Sequence, residues 1–552
     1  MRIPKPSRYS ILALCIAACL GFAAFWAFGP RWAVFPFAGF LLLSLLGIRD
    51  LIQRRHAILR NYPIVGHLRF LLESFRPEIR QYLIESDSDE LPFSREARSL
   101  VYQRAKGVED KRPFGTTEKV YESGYSWVTH SVAPKTITGT DFRVTIGGPD
   151  CRQPYASSLY NISAMSFGAL SANAVLALNH GARMGGFAHN TGEGGISRHH
   201  RRHGGDLIYQ VASGYFGCRD EQGRFDPDRF RKQALDPQVK MIELKLSQGA
   251  KPGHGGMLPA AKISPEIAEA RGVPLGVDCI SPPAHGEFST PIELMQFVAR
   301  LRELSDGKPV GIKLCIGHRR EFMCMVKGML ETGVTPDFIT VDGAEGGTGS
   351  APLEFTNRVG MPMLEGLAFV HNTMRGAGLR DRIRIGAAGK IVSAFDIARA
   401  LALGADWCNS ARGFMFAIGC IQSQSCHTNK CPVGIATQDK LRQRALEPEG
   451  KALRVLRFHR NTLHALAEIA GAAGLSSPGE FLPYHFMFRQ GDGTFEDGNE
   501  AFPYLPEGFL VAPSRDAEFE SWHRRWDRAS AQSFAPEMIP QGRFPRARAA
   551  AG

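Results

Sequence analysis

The body of this 552-residue chain has almost no excess charge. Net charge is +12, but residues 1–60 carry eight Arg and Lys against Asp50 alone, and residues 541–552 carry three Arg and no acid, leaving two net charges for everything between. A nucleic-acid-binding face needs cations clustered on the folded surface, so none is expected. Disorder is excluded by composition: 44% of residues are apolar and only 22% charged. Secreted-scaffold cysteine spacing is absent. The cysteines number eleven, an odd count: three are clustered as described next, Cys15 and Cys19 lie in the apolar N-terminus, and the rest read as reduced thiols of a cytosolic body. No Gly-x-Gly spacing sits in a βαβ unit with a distal acid, so there is no dinucleotide fingerprint.

What is present centres on Gly419–Gln438. Cys420, Cys426 and Cys431 fall within 12 residues as C-x5-C-x4-C, followed at once by Pro432. Thiolates are the usual ligands of iron–sulfur clusters, and a Cys-Pro ending recurs in such runs. Three ligands suit a 3Fe–4S cluster. Zinc is a rival, but it favours C-x2-C pairs and a fourth ligand, for which only the cramped His427 offers itself. Three unrelated buried cysteines is the remaining reading.

Two apolar, uncharged runs occupy the N-terminus, 11–29 and 33–48, with Gly29-Pro30-Arg31-Trp32 between them. Both approach the length that spans a bilayer. Arg2, Lys5 and Arg8 precede the first; Arg49, Arg54, Arg55 and Arg60 follow the second. Positive charge on both outer flanks predicts a two-pass hairpin over residues 1–50, with both ends and the catalytic body in the cytoplasm. A cleaved signal peptide is the rival for the first run. Residues 51–120 read as a collar of helices and extended pieces, with Leu68, Leu71, Phe75 and Ile79 at helical spacing, and residues 116–150 as β-rich.

From residue 159 onward, eight short apolar or β-branched runs alternate with helical stretches. The runs are 159–165, 186–190, 241–246, 275–280, 310–315, 338–341, 383–386 and 407–410. Helical patterns cover 171–184, 264–270, 291–304, 321–332, 365–377 and 392–403. This alternation predicts an α/β fold, a (β/α)8 TIM barrel over residues 121–475. An amphipathic helix over 453–473 follows, then a C-terminal extension over 476–552 that wraps the barrel and ends in a disordered tail.

In such a barrel the site forms at the C-terminal strand ends. Ala164, Met165 and Ser166 close the first strand, and Lys313 lies in the fifth. Gly346, Gly347 and Thr348 follow the sixth. Gly386 and Gly389 follow the seventh, Ser410 and Arg412 the eighth. Glycines at the last two strand ends are what a barrel phosphate site needs, since backbone N–H groups must approach closely. With Lys313 able to face an isoalloxazine edge, FMN is the expected cofactor.

The cysteine loop, C-x5-C-H-x-N-x-C-P-V-G-I-A-T-Q, resembles that of the glutamate synthase large subunit. So do Ala164–Gly168, Asn190–Gly195, Gln210–Gly214, Gln248–Gly253, Ile280–Pro283 and Gly346–Gly349. The resemblance covers roughly residues 125–475 and implies FMN, a 3Fe–4S cluster on the three cysteines, and a flavin contact at Gln210. It implies binding of 2-oxoglutarate at Glu193 and Lys251, where a carboxylate and a cation stand among glycines. Small-molecule partners would be a 2-oxo acid with ammonia or an amine, and the electron donor a ferredoxin or a reductase subunit. The expected activity is oxidoreductase action on CH–NH2 donors, in the family the conversion of 2-oxoglutarate to L-glutamate. One position departs: Met257 stands where the family carries a glutamine that contacts substrate, and a thioether donates no hydrogen bond. The alternatives are a related amino-acid or N-alkyl-glutamate oxidoreductase, or a non-catalytic membrane electron-transfer subunit. Arg2 follows Met1 where a glutaminase of this family would begin with cysteine, so no glutaminase activity is expected. The run Arg198–His203 reads as a solvated basic loop near an anionic ligand rather than a metal patch.

Overall fold

The computed structural model describes residues 8–53, 57–84, 92–513 and 517–535. The expected disordered tail, and the flanking charges Arg2, Lys5, Arg54 and Arg55, lie outside these residues. The chain divides into two compact units, residues 1–89 and 90–552.

In the first unit, α1 (Ser10–Phe28) and α2 (Val34–Ile52) are 19 residues each. Pro30 and the short turn Arg31–Ala33 separate them. Phe22 stacks on Phe40 and Trp26 on Phe37, pairs whose numbering runs in opposite directions, so the two helices form an antiparallel hairpin. Leu14, Leu20, Phe35 and Leu42 point outward and are exposed. Both helices are long and apolar enough to cross a membrane. After the one-turn helix Ala57–Asn61 comes the longer α3 (Gly66–Ile79).

The second unit is built on a closed parallel barrel. Its strands are β1 (Tyr160–Ile162), β2 (His189–Asn190), β3 (Leu207–Val211), β4 (Val239–Lys245), β5 (Val310–Leu314), β6 (Phe338–Asp342), β7 (Arg384–Ala388) and β8 (Trp407–Ser410). β8 pairs with β1 through Cys408–Tyr160, which closes the ring. The helices form where local chemistry starts and stops them. Pro291–Leu304 begins on a Thr290–Glu293 capping box with proline in its first turn. Ala172–Gly185 begins on the Ser171 hydroxyl and ends on the left-handed Gly186.

The barrel has eight strands as expected, but one member is different. The run 275–280 is not a barrel strand. Only Cys279–Ile280 is extended, in a two-residue antiparallel ribbon with Met257–Leu258. Leu275, Val277 and Ile280 are exposed, so this alternation has no core to face. The missing strand is β3, whose five residues are all buried. Its Gln210 and the glycine turn after it read as a site motif rather than as strand.

The two ends of the barrel differ in kind. At the N-terminal end, Ile146 of the hairpin Arg143–Ile146/Tyr155–Ser158 plugs the ring. It packs with Ala188, Ile208, Met241, Phe338 and Trp407. Asp337, buried there, accepts from Arg302 at 3.0 Å and from the backbone of Gly148 and Val310. Gly386 belongs to this plug: a Cβ there would lie 2.5 Å from the Trp407 indole. The long helix Pro448–Ala472 packs on Ala172–Gly185, and the residues after it wrap the barrel. Phe486–Arg489 bridges Ser126–Val128 and Phe495–Asp497 in a three-stranded sheet. Trp522 stacks on Phe369, and Lys327 donates to the Ala529 carbonyl.

Candidate active site

A cavity opens at the C-terminal ends of the barrel strands. Of the residues singled out from sequence, it is lined by Ala164, Met165, Ser166, Glu193, Gln210, Lys251, Lys313, Gly346, Gly347, Thr348, Gly389, Ser410, Arg412 and Cys426, with Met257 on the same wall. Gly386 does not line it. As a mid-strand glycine it faces Trp407 in the plug, where it makes room for a large ring rather than for a phosphate.

One wall is a network of opposed charges. Lys245, at the end of β4, donates to Glu193 at 2.9 Å and to Gln248 at 3.2 Å. Burial alone would raise the Glu193 carboxyl. Lys245, then Arg271 and Lys251, outweigh it and hold the group below the usual carboxylate value. Burial lowers the Lys251 ammonium, with Glu193 opposing and Lys245 adding to the effect. Lys251 also reaches Ser350 at 3.4 Å. Arg271 donates to Ser166 and to the Phe167 carbonyl. A Cβ at Gly256 would come within 2.6 Å of the Glu193 carboxylate, so the Met257 ribbon presses against this acid.

Beneath that wall, Glu243 is fully enclosed and accepts from Asn190, Gln210 and Thr340 at 2.6–2.9 Å. Lys313 lies 3.5 Å from Asp342. Burial would depress its ammonium, but Asp342 and Glu243 raise it above its ordinary value, so it stays charged. Asp342 also accepts from the Gly249 N–H, tying the Lys251 loop to β6.

The opposite wall, at the ends of β7 and β8, has cations of another kind. Lys390 has φ +50 and lies 5.7 Å over the Phe93 ring. Arg412 donates to the Met415 sulfur. Among the described residues neither forms an ion pair with a carboxylate.

Residues 150–476 match the family described as the conserved region in glutamate synthase. A glutamate synthase large subunit-like protein, YerD, of Bacillus subtilis (strain 168) is 38% identical over 496 residues, spanning 82% of this chain and 94% of that one. The chain belongs to the glutamate synthase family. An archaeal-type glutamate synthase (NADPH) of Thermotoga neapolitana is 36% identical over 316 residues, 57% of this chain and 59% of that protein. The match spans under two thirds of the length of the archaeal-type glutamate synthases. Among solved structures, a mandelate oxidase mutant overlays at a TM-score of 0.40 and 16% identity, over 78% of this chain and 98% of that one.

The glutamate-synthase-like cysteine loop leaves the cavity rim after Ala417. Cys426 lines the cavity and Cys431 is buried. Burial pushes the Cys420 thiol up to about 11, and the neighbouring Cys426 and Cys431 add to this, so the three sulfurs lie close enough to feel one another. Gln422, Gln424 and Asn429 all take left-handed backbone conformations, unusual for side-chain-bearing residues. The loop is held from outside by Tyr102, donating to the Cys420 carbonyl, and by Lys262, donating to the Cys426 carbonyl at 2.6 Å.

The run Arg198–His203 is dispersed rather than gathered. His200 closes a capping box with Ser197, and His199 pairs with Glu266. Arg198 also pairs with Glu266, and Arg201 with Asp236. His203 stacks on His180 at 4.1 Å with 4° between the rings, and Glu449 lies 3.2 Å from His180. One ion cannot lie in both of two parallel ring planes, so as arranged these groups form no metal centre.

Lys245, Arg271, Glu243 and Asp342 are the site residues that the sequence motifs did not single out. Lys245 ends an apolar strand pattern, which marks it as a candidate at a barrel strand end. Arg271 ends an ordinary helix, Pro265–Arg271, and carries no local signal.

Proposed function

We propose that this glutamate synthase family member is an FMN- and iron–sulfur-dependent enzyme that reductively aminates a 2-oxo acid, anchored by its N-terminal hairpin with the barrel in the cytoplasm. It is an oxidoreductase of the class acting on CH–NH2 donors. The observation that carries the reading is the cavity with two unlike walls and a cysteine loop on its rim. The residues fit the cofactors. Lys390, Arg412 and the Gly389 turn would hold the FMN phosphate, with Gly346, Gly347, Thr348 and Ser410 beside it. Lys313, Gln210 and Ala164–Ser166 would meet the ring. Cys420, Cys426 and Cys431 would hold a 3Fe–4S cluster. When bound, FMN supplies hydride transfer and the cluster single-electron transfer from a donor such as a ferredoxin or a reductase subunit.

The chain's own residues do the rest. Lys251 and Arg271 hold the carboxylate of the 2-oxo acid. Glu193, kept ionised by Lys245, accepts a proton from ammonia or an amine at its free carboxylate oxygen and steadies the cationic imine that forms. Glu193 then passes that proton to the carbonyl-derived oxygen and Lys245 Nζ supplies a second, so the oxygen leaves as water while the carbon–nitrogen double bond forms. The preset charges around the imine need no reorganisation during reaction. Met257 at this wall favours a second reading of the substrate. A less polar 2-oxo acid, or an N-alkyl amino acid in the reverse direction, is preferred over 2-oxoglutarate.

The test uses purified full-length protein, photoreduced without oxygen and mixed with individual 2-oxo acids plus ammonia or methylamine while flavin reoxidation is followed. Selective reoxidation by one acid–amine pair supports the proposal. No reoxidation by any pair, or FAD in the acid extract, overturns it. Cys426→Ser is expected to lose iron and donor-driven reduction while retaining FMN; unchanged iron would remove the cluster assignment.

A further inference from the structure

In the first unit, α3 carries an apolar stripe that is exposed among the described residues. Leu68, Leu71, Leu72, Phe75 and Ile79 recur at i, i+3, i+4, i+7 and i+11, which places them on one face. All five are exposed, Leu72 at 55% and Phe75 at 53%. The turn that follows adds exposed Leu83 and Ile84. Arg69, Arg76 and Arg80 run along one border of the stripe at the same helical spacing. Together with Leu72, Ile79 and Ile84 they line a shallow groove whose only acid is Glu73, already paired with Arg69 at 2.9 Å. Across 57–84, Arg60, Arg69, Arg76 and Arg80 outnumber Glu73 and Glu78.

The start of α3 is fixed to the end of α2. Asp50, almost fully buried, accepts from the backbone N–H of Ile64 at 3.0 Å, and its carboxylate lies 2.9–3.0 Å from His67 Nε2. The helix therefore begins at the level where the second apolar helix ends. At 14 residues, roughly 21 Å, it is too short and too charged to cross a bilayer itself. An apolar face with an arginine border suits the boundary between headgroups and acyl chains: arginine stems lie along the apolar zone while the guanidinium groups reach phosphate.

We propose that residues 66–84 lie in the membrane–water interface beside the hairpin, on its cytoplasmic side. The apolar stripe enters the acyl boundary and Arg69, Arg76 and Arg80 engage anionic phospholipid headgroups. This rests on the hairpin's being a membrane anchor and adds a lipid-selective contact to it. The occupant is a bilayer rather than a protein because the stripe starts where the apolar hairpin ends, at Asp50, and is bordered by cations.

The test places the full chain in nanodiscs of neutral phosphatidylcholine or of phosphatidylcholine with phosphatidylglycerol, and measures amide hydrogen exchange over residues 66–84. Exchange is expected to be ~10-fold slower in the anionic discs. The triple variant R69E/R76E/R80E is expected to remove that difference while α1 and α2 stay protected. Equal exchange in both lipids overturns the proposal. So does protection that grows with protein concentration, which would mean a second copy, or protection indifferent to lipid charge and to the variant, which would mean cover by the rest of the chain. Extraction of the full chain from membranes by alkaline carbonate overturns the hairpin reading itself. Resistance to carbonate with free exchange at 66–84 overturns only this inference.

Discussion

On the β4 wall of the cavity, carboxylates act on the cations: Glu193 on Lys245, Lys251 and Arg271, and Asp342 on Lys313. On the β7–β8 wall, Lys390 and Arg412 meet a ring face and a thioether, with no ion pair among the described residues. The contrast separates two tasks. A compensated network holds fixed protonation states around a ligand whose own charge changes during reaction, since an iminium must be stabilised and then let go. Uncompensated cations are costly to keep together unless a permanent anion joins them, which is what a phosphate provides. On the proposed function, the first wall serves turnover and the second serves retention of FMN.

The largest effect is expected from Glu193→Gln. It leaves Lys245, Lys251 and Arg271 without their shared counter-charge and removes the proton acceptor. kcat/KM should fall by about 10³-fold with FMN content unchanged, and loss of FMN instead would mean that the walls are not separate in function. Arg412→Ala should do the reverse. FMN is expected to dissociate about 10- to 100-fold more readily, as for loss of a charge-assisted contact. Enzyme refilled with excess FMN should keep its preference among 2-oxo acids; a changed preference would dissolve the distinction between the walls. Met257→Gln restores a donor beside Glu193 and should raise the 2-oxoglutarate preference about 10-fold, read as a ratio of kcat/KM values. Efficient, selective use of 2-oxoglutarate by the unaltered chain would remove the basis for this prediction.

The smallest effect concerns pH. The Glu193 carboxyl sits below its ordinary value of 4.5 in the folded protein. Between that lowered value and 4.5 the unfolded chain binds the extra proton, so stability falls as pH drops through this window and is fully present above it. Thermal melts of the wild type should therefore lose stability below pH 4.5 more steeply than those of Glu193→Gln. Coincident acid slopes would show that the network does not hold this charge.

Much of the frame can be read along the chain because its signals are contiguous. Thr290, Pro291 and Glu293 start a helix by their own hydrogen bonds, and the observed Pro291–Leu304 matches the expected span. The hairpin follows from two apolar runs around Pro30 in the same way. The reading slips where a pattern depends on what lies opposite. Residues 275–280 have strand chemistry but no core against them, whereas Leu207–Val211 is enclosed on all sides and becomes β3. Gly386 has the same composition cues as Gly389, yet one faces Trp407 and the other the cavity, a choice set by the alternation of β7 within a closed ring.

By itself the sequence determined helices such as Pro291–Leu304, seven of the eight barrel strands, the cysteine triplet and the family, because each rests on residues close together in the chain. Only the tertiary structure decided which cations share an acid. Glu193 follows β2, Lys245 ends β4 and Arg271 ends the helix Pro265–Arg271, and the three meet on one cavity wall only in the folded barrel. Their charge states then follow from mutual proximity and burial. Such electrostatic coupling falls off with distance in space, and distance in space is what a one-dimensional pattern does not contain.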